Sequence, residues 1–380
     1  MCRLTSLVPG LIAACAARAF ALRNTVRRLM DCEAVGRKAY ARIGLLGNPS
    51  DGYHGKTISV AVANFWAEVT LRPSERIGFT PHPVHDPLSF TGLDALAERL
   101  EREGYYGGVR LLMAICKVFV QHCTAKGIPL HTRGFNLSYE TNIPRQAGLS
   151  GSSAIVCAAL SCLMEHYQVS DRLPLEERPN LILQAEQQEL GITAGLQDRV
   201  IQVYGGAVYM DFDEPYMREH GHGRYERMDA SILPPLWLLI DDRPSDSARI
   251  HAPVRKLWEA GDAIVRQAMH RIAECAEAGR HVLDHQHKFD AGALGELMDE
   301  NFNLRRKTFG DAALGEHNLK MVELARQFGG SAKFAGSGGA VVVWLREGAD
   351  ISGLQAACED TGFTLVQVQV APPTSHQQEL

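Results

Sequence analysis

Pro144-Arg145-Gln146-Ala147-Gly148-Leu149-Ser150-Gly151-Ser152-Ser153-Ala154 is the stretch on which the reading of this chain turns. Ahead of it, residues 135–139 alternate apolar and polar side chains, as a half-buried strand does. Behind it, residues 154–167 are rich in Ala, Leu, Cys and Met at helical spacing. A strand therefore runs through a Gly/Ser loop into a helix start. Gly148 and Gly151 let the backbone turn tightly, and the serines can cap the helix or offer hydroxyls. The first amides of a helix have no internal acceptors and carry the positive end of its dipole, so the geometry suits a phosphate. Alone, the stretch reads better as a Ser-capped helix after an ordinary turn. Two further stretches overturn that reading.

Upstream, residues 41–47 read as a buried strand ending in glycine, followed by the polar turn Asn48-Pro49-Ser50-Asp51-Gly52-Tyr53. Residues 57–71 look like two strands, with Phe65 and Trp66 supplying bulk. Gly52-Tyr53-His54-Gly55-Lys56-Thr57 imitates the end of a P-loop, but Ser50 stands where its first glycine belongs and β-branched residues follow where a helix is needed. Residues 94–102 and 109–126 read as helices, the second with Leu112, Ile115, Val118 and Phe119 along one face.

Downstream, residues 179–190 are helical and carry Glu186 and Glu189. The loop Gly191-Ile192-Thr193-Ala194-Gly195-Leu196-Gln197-Asp198-Arg199 then brings one acid near its end. Gly205-Gly206 leads into a strand over 207–212, and 236–240 is another. Residues 249–277 and 295–308 read as long helices, and a domain boundary falls between Pro215 and Pro235. The third informative stretch, Ser331-Ala332-Lys333-Phe334-Ala335-Gly336-Ser337-Gly338-Gly339-Ala340, runs into a strand over 341–345. Its three glycines mark a hairpin corner or a close approach to a ligand. A helix and a strand, 354–361 and 363–370, close the chain. Strands and helices alternate too irregularly for a doubly wound sheet, so the class is α+β.

Composition narrows the function. At 380 residues the chain has room for two domains, and 46% hydrophobic with 22% charged residues is globular. A net charge of −5 gives no reason to expect a nucleic-acid partner. Nine cysteines without a Cys-x-x-Cys pair point to reduced thiols, hence the cytoplasm, and no membrane partner is expected. Residues 1–30 contain Arg3, Arg18, Arg23, Arg27 and Arg28 and no acid, which fits either a transit peptide or a disordered extension.

The three glycine-bearing stretches, in this order, resemble the motifs of the GHMP kinases, the superfamily of galactokinase, homoserine kinase, mevalonate kinase and phosphomevalonate kinase. The resemblance runs from about Ala41 to the C-terminus. Its longest local runs, residues 41–51, 103–117, 141–156, 195–206 and 333–343, are similar to the branch acting on D-glucuronate. It implies an N-terminal ATP-binding domain (37–225) like the second domain of ribosomal protein S5 and a ferredoxin-like C-terminal domain (226–380), after an extension over 1–36. The active site would lie between them.

What the resemblance implies for chemistry is a sugar-1-kinase moving the ATP γ-phosphate onto the anomeric hydroxyl of D-glucuronate, with ATP and Mg²⁺ as cofactors. Its product would feed a uridylyltransferase that makes UDP-glucuronate. Pro144, Gly148, Leu149, Ser150, Gly151, Ser152, Ser153 and Ala154 match the ATP-phosphate motif. Ser153, with Ser152 as neighbour, and Glu186, with Glu189 as the alternative, match the Mg²⁺ ligands. Asp198 matches the catalytic base and Arg42 the cation that keeps it ionised. Asp51, Asn48 and Arg145 fall on the substrate side. A uronate carboxylate suits an arginine fork, and Arg145, Arg199 and Arg243 are open candidates. Tyr105-Tyr106-Gly107-Gly108 matches the same branch. Phe65 and Trp66 would either wall the adenine or pack in the core, and Lys333 is more naturally structural than catalytic. The competing readings are an arabinokinase-like or heptose kinase, and a non-catalytic sugar sensor on the same fold.

Overall fold

The computed structural model describes residues 34–105, 107–241, 248–284 and 289–374. The first sheet is built on β1 (Val35–Leu46) and β2 (Lys56–Ser74), joined by the short turn that holds Asp51. β1 runs antiparallel along most of β2, β3 (Gly78–Phe79) lies beside β4 (Gly134–Thr141), and β5 (Ala207–Asp211) carries β6 (Arg224–Met228). β4 pairs with residues 67–74 of β2 and β5 with residues 56–60. The two strands expected over 57–71 are thus one. No Gly or Pro interrupts them, and the register instead slips from Tyr40↔Trp66 to Ala41↔Val62. The bulged backbone is bonded from outside, Trp66 N to Asn142 Oδ1 at 2.7 Å and Ala63 N to the Gln369 carbonyl at 2.7 Å.

One face of this sheet is covered by the helix Gly151–His166, whose alanines allow close approach to β1 and β2. Ile43, Leu45, Val60, Val62, Val156 and Leu160 are all essentially solvent-free. Each such side chain is worth roughly 1.5–3 kcal/mol of burial, which fixes where the helix begins relative to β1. The helix Gly108–Ala125 packs on it through the expected Leu112, Ile115, Val118 and Phe119 face. By length and composition alone that helix could cross a membrane; here its apolar face belongs to the core.

The second sheet is antiparallel throughout, in the order β10 (Phe363–Gln367), β7 (Leu236–Asp241), β9 (Ala340–Leu345), β8 (Gly330–Phe334). The helices Ala263–Val282, Ala291–Phe309 and Glu316–Gln327 accompany it. The single helix expected over 249–277 is two, Ala248–Glu259 and Ala263–Val282. Gly261, at φ 81°, ends the first, and Asp262 caps the second by accepting from Val265 N at 2.9 Å.

The change of sheet falls between Met228 and Leu236, so a boundary after residue 225 would cut through β6. The chain then returns to the first sheet. Val370 bridges Val62, Pro373 bridges Gly205, and Ala371 N and Thr374 N each donate at 2.9 Å to the carbonyls of Ala61 and Tyr204.

Candidate active site

The Gly/Ser loop and the loop between β8 and β9 are pressed backbone to backbone. A Cβ on Gly148 (φ 63°) would stand 2.1 Å from the Gly338 carbonyl oxygen, and one on Gly336 would stand 2.2 Å from the Gly148 carbonyl oxygen. Neither position tolerates a side chain. The third stretch is therefore a hairpin corner, and its glycines serve contact with the second stretch. Ser150 sits in the left-handed region at φ 64° and leaves the helix Gly151–His166 without a side-chain cap. Its hydroxyl instead donates to Asp198 Oδ2 at 2.6 Å. The first-turn amides of Gly151, Ser152 and Ser153 are left for an outside acceptor. Leu149 and Ala154 are buried and support the turn from beneath, while Pro144 leads into it.

Facing this turn is an ion-pair chain. Arg42, on β1, grips Asp198 with two bonds, Nε to Oδ1 at 2.5 Å and Nη2 to Oδ2 at 2.9 Å. Its remaining nitrogen donates to the carbonyls of Gly148 at 2.6 Å and Ala335 at 3.3 Å. Arg42 thus ties β1, both glycine loops and the acid together. Asp198 lies in the first turn of the helix Gln197–Tyr204. Burial alone would raise its pKa, but the guanidiniums of Arg42 and Arg199, and the bond from Ser150, hold the carboxyl below its ordinary range.

Glu186 lies in a π-helical turn, Ala185–Glu189, and is fully buried. Its Oε1 accepts from Ser152 Oγ at 2.7 Å, and its Oε2 is bound by Arg199 Nε at 2.8 Å and by Arg199 Nη2. Arg199 also donates to the Gly195 carbonyl at 2.9 Å and reaches Asp198 at 3.3 Å. Of the two serines, Ser152 faces the glutamate. Ser153, expected to supply the metal hydroxyl, is fully buried and donates to the Ser150 carbonyl at 3.1 Å. Of the two glutamates, Glu189 turns outward to Lys117 at 2.5 Å. Ser152 Oγ and Glu186 Oε1 are hard oxygen donors on the phosphate side of the loop. That set fits Mg²⁺, which takes few protein oxygens and shares phosphates.

On the substrate side, Asp51 accepts from Gln197 Nε2 at 3.1 Å. Burial, with the charge of Asp198 adding to it, pushes its pKa up to about 7. Near neutrality it can both donate and accept hydrogen bonds, which suits a hydroxyl-rich ligand. Asn48 is a correction. It is only 1% exposed, and its amide is consumed by Lys333 Nζ and by the Phe334 carbonyl at 3.3 Å, so it is not presented to a sugar. Lys333 likewise spends its ammonium on the Gly44 carbonyl at 2.7 Å and the Phe334 carbonyl at 3.1 Å.

The arginines expected at a uronate carboxylate fare unevenly. Arg199 is saturated by Glu186 and Asp198. Arg145 acts electrostatically on His85 and Tyr139. Arg243 lies outside the described residues, as do Tyr106 and residues 1–33 of the extension. Tyr105 is exposed, and Gly107 and Gly108 are closed against Asp86 and the Tyr139 ring. Phe65 and Trp66 are partly buried, Phe65 against the main core, with Lys38 Nζ 4.2 Å from the Trp66 ring centre. The residue the sequence did not single out is Arg305. It lies on the helix Ala291–Phe309, is 2% exposed, and donates to the Gly336 carbonyl at 2.7 Å.

This combination defines a phosphotransferase of known type. Residues 110–206 match the family model described as GHMP kinases N terminal domain. The chain is 53% identical over 340 residues to Glucuronokinase 1 of Arabidopsis thaliana, covering 89% of this chain and 93% of that protein. It therefore belongs to the GHMP kinases. It is also 54% identical over 337 residues to Probable glucuronokinase 2 of the same plant, covering 88% of this chain and 91% of that one. Among solved structures, the galactokinase of Lactococcus lactis, complexed with galactose, superposes with a TM-score of 0.67 at 16% identity. That match covers 90% of this chain and 95% of that one, and shows the shared fold.

Proposed function

We propose that this chain is an ATP-dependent glucuronokinase, transferring the γ-phosphoryl group to the anomeric hydroxyl of D-glucuronate and yielding α-D-glucuronate 1-phosphate and ADP. The observation that carries a kinase reading is the two-bond Arg42–Asp198 pair beside an uncapped helix start. The substrate comes from identity above one half with glucuronokinases over nearly the whole chain.

The residues would divide the work as follows. The first-turn amides after Ser150 hold phosphate oxygens, and Ser152 with Glu186 would hold Mg²⁺, which when bound neutralises phosphate charge. Asp198, kept ionised by Arg42, accepts the proton of the anomeric hydroxyl as its oxygen attacks phosphorus. Arg42, bonded at once to Asp198 and the Gly148 carbonyl, fixes the acid relative to the phosphate turn. Asp51 takes a ring hydroxyl. The product of such a reaction is a sugar 1-phosphate, the substrate class of a nucleotidyltransferase. A non-catalytic sensor would have no use for an acid held ionised at the phosphate turn. The test is a side-by-side assay with D-glucuronate, D-galactose, L-arabinose and mevalonate. Turnover should be highest on glucuronate, and preference for a neutral sugar overturns the assignment.

A further inference from the structure

Three arginines are buried around the candidate site, and their surroundings differ. Arg42 has Asp198 and Arg199 has Glu186 and Asp198. Arg305 has no carboxylate within ion-pair distance among the described residues. Its Nη1 donates to the Gly336 carbonyl at 2.7 Å, its Nη2 makes a long contact of 3.4 Å to the Ser337 carbonyl, and its Nε has no acceptor. The rings of Phe334 and Phe309 lie 5.0 and 5.5 Å from the guanidinium carbon, so the nearby surface is apolar as well. Burial pushes its pKa down to about 10. A charge in that setting is destabilising unless something supplies the opposite sign.

Its position says what that something is. A Cβ on Gly336 would stand 2.7 and 2.8 Å from the two terminal nitrogens of Arg42, while the carbonyl of the same Gly336 accepts from Arg305. One glycine separates the cation on the catalytic acid from the unpaired one. Asp51 and Tyr53, on the turn after β1, act electrostatically on Arg305 from the substrate side. A hexuronate with its anomeric oxygen at Asp198 and a ring hydroxyl at Asp51 carries its charge on C5, one ring oxygen away from the anomeric carbon.

Building on the glucuronate reading, we infer that Arg305 receives the substrate's carboxylate and sets the preference for a uronic acid over a neutral sugar. The guanidinium fork can take both carboxylate oxygens, and the uncommitted Nε is one prong of it. The competing source of an anion at this spot is the terminal phosphate of ATP.

The experiment compares wild type, Arg305→Met and Arg305→Lys on D-glucuronate and on its uncharged amide, D-glucuronamide, with ATP varied separately. Losing a charge-assisted pair should raise KM for glucuronate about 10–100-fold in Arg305→Met. KM for ATP and the kcat/KM on the amide should stay within about twofold of wild type. Arg305→Lys, which keeps charge without the fork, should recover part of the loss and carries the test if Arg305→Met does not fold. In thermal melts, the shift given by glucuronate should disappear while that of a non-hydrolysable ATP analogue persists. A raised KM for ATP, or equal losses on acid and amide, overturns the assignment. A wild type inactive on glucuronate defeats the proposed function itself, a different result.

Discussion

The two walls of the candidate site are finished to different degrees. On the phosphate wall the buried charges are matched: Arg42 holds Asp198, Arg199 holds Glu186, and Ser150 and Ser152 donate to the same two acids. On the sugar wall Asp51 is pushed toward neutrality and Arg305 lacks a counter-ion. A prebuilt network lowers the reorganisation required at the moment of transfer. An unbalanced one draws its stability from the ligand, and so discriminates between ligands. Under the proposed function, catalysis would be set on one side and selection on the other.

The largest expected effect comes from breaking the finished wall. Asp198→Asn removes the proton acceptor and half of the Arg42 grip, and turnover should fall by roughly 10²–10⁴. Binding of a non-hydrolysable ATP analogue, followed by calorimetry, should change only a few-fold, and undiminished turnover would take Asp198 out of the base role. Gly148→Ala strikes the same wall through the backbone, since its Cβ would meet the Gly338 carbonyl oxygen at 2.1 Å with φ at 63°. Urea unfolding should show a loss of about 2–4 kcal/mol. A variant as stable as wild type would mean that the two loops stand further apart than described.

A smaller change sharpens the choice between neighbouring acids. Glu186→Gln should cost about 10–100-fold in activity and require more Mg²⁺ for half-saturation, with Glu189→Gln near wild type. The reverse ranking would move the metal ligand one turn outward. pH separates the walls as well. Asp51 binds its proton more tightly folded than unfolded, so its contribution to stability is lost as pH rises through about 7. Asp198, shifted the other way, loses its contribution as pH falls below the ordinary carboxylate range. Free enzyme should therefore lose about 2–3 kcal/mol between pH 5 and 8 that Asp51→Asn does not lose. Parallel pH–stability curves for the two proteins would contradict this.

How far the sequence discloses such a site depends on what kind of constraint each residue obeys. Gly148, Gly336 and Gly339 are legible because two backbones in contact leave room for nothing else, and composition records that directly. Asp198 and Arg42 are legible through the motifs around them. Ser152 and Ser153 are not distinguishable, since adjacent helical residues differ only by a rotation that the sheet beneath decides. Glu186 and Glu189 straddle a π-helical turn, where counting at 3.6 residues per turn misplaces side chains. Asn48 is polar and next to a substrate acid, yet its amide is claimed by Lys333 from the other sheet, some 285 residues away in sequence. Arg305 and Arg306 look alike in a row, although Arg306 pairs with Asp311 at the surface and Arg305 is buried. The one trace in the sequence is Asn301, a helical turn earlier and equally buried, which marks a polar stripe on an inward face.

The return of the final residues to the first sheet has a mechanical consequence. Because residues 369–374 are stitched to Ala61, Ala63 and Tyr204, the lobes are tethered at both the crossover and the tail. Wide separation of the lobes would have to break these stitches as well as the hydrophobic core that the two lobes share. A proteolytic nick between Gln367 and Val370 would free the tail's stitches and leave the lobes joined through that core and through Gly44 N, which donates to the Ala335 carbonyl at 2.7 Å.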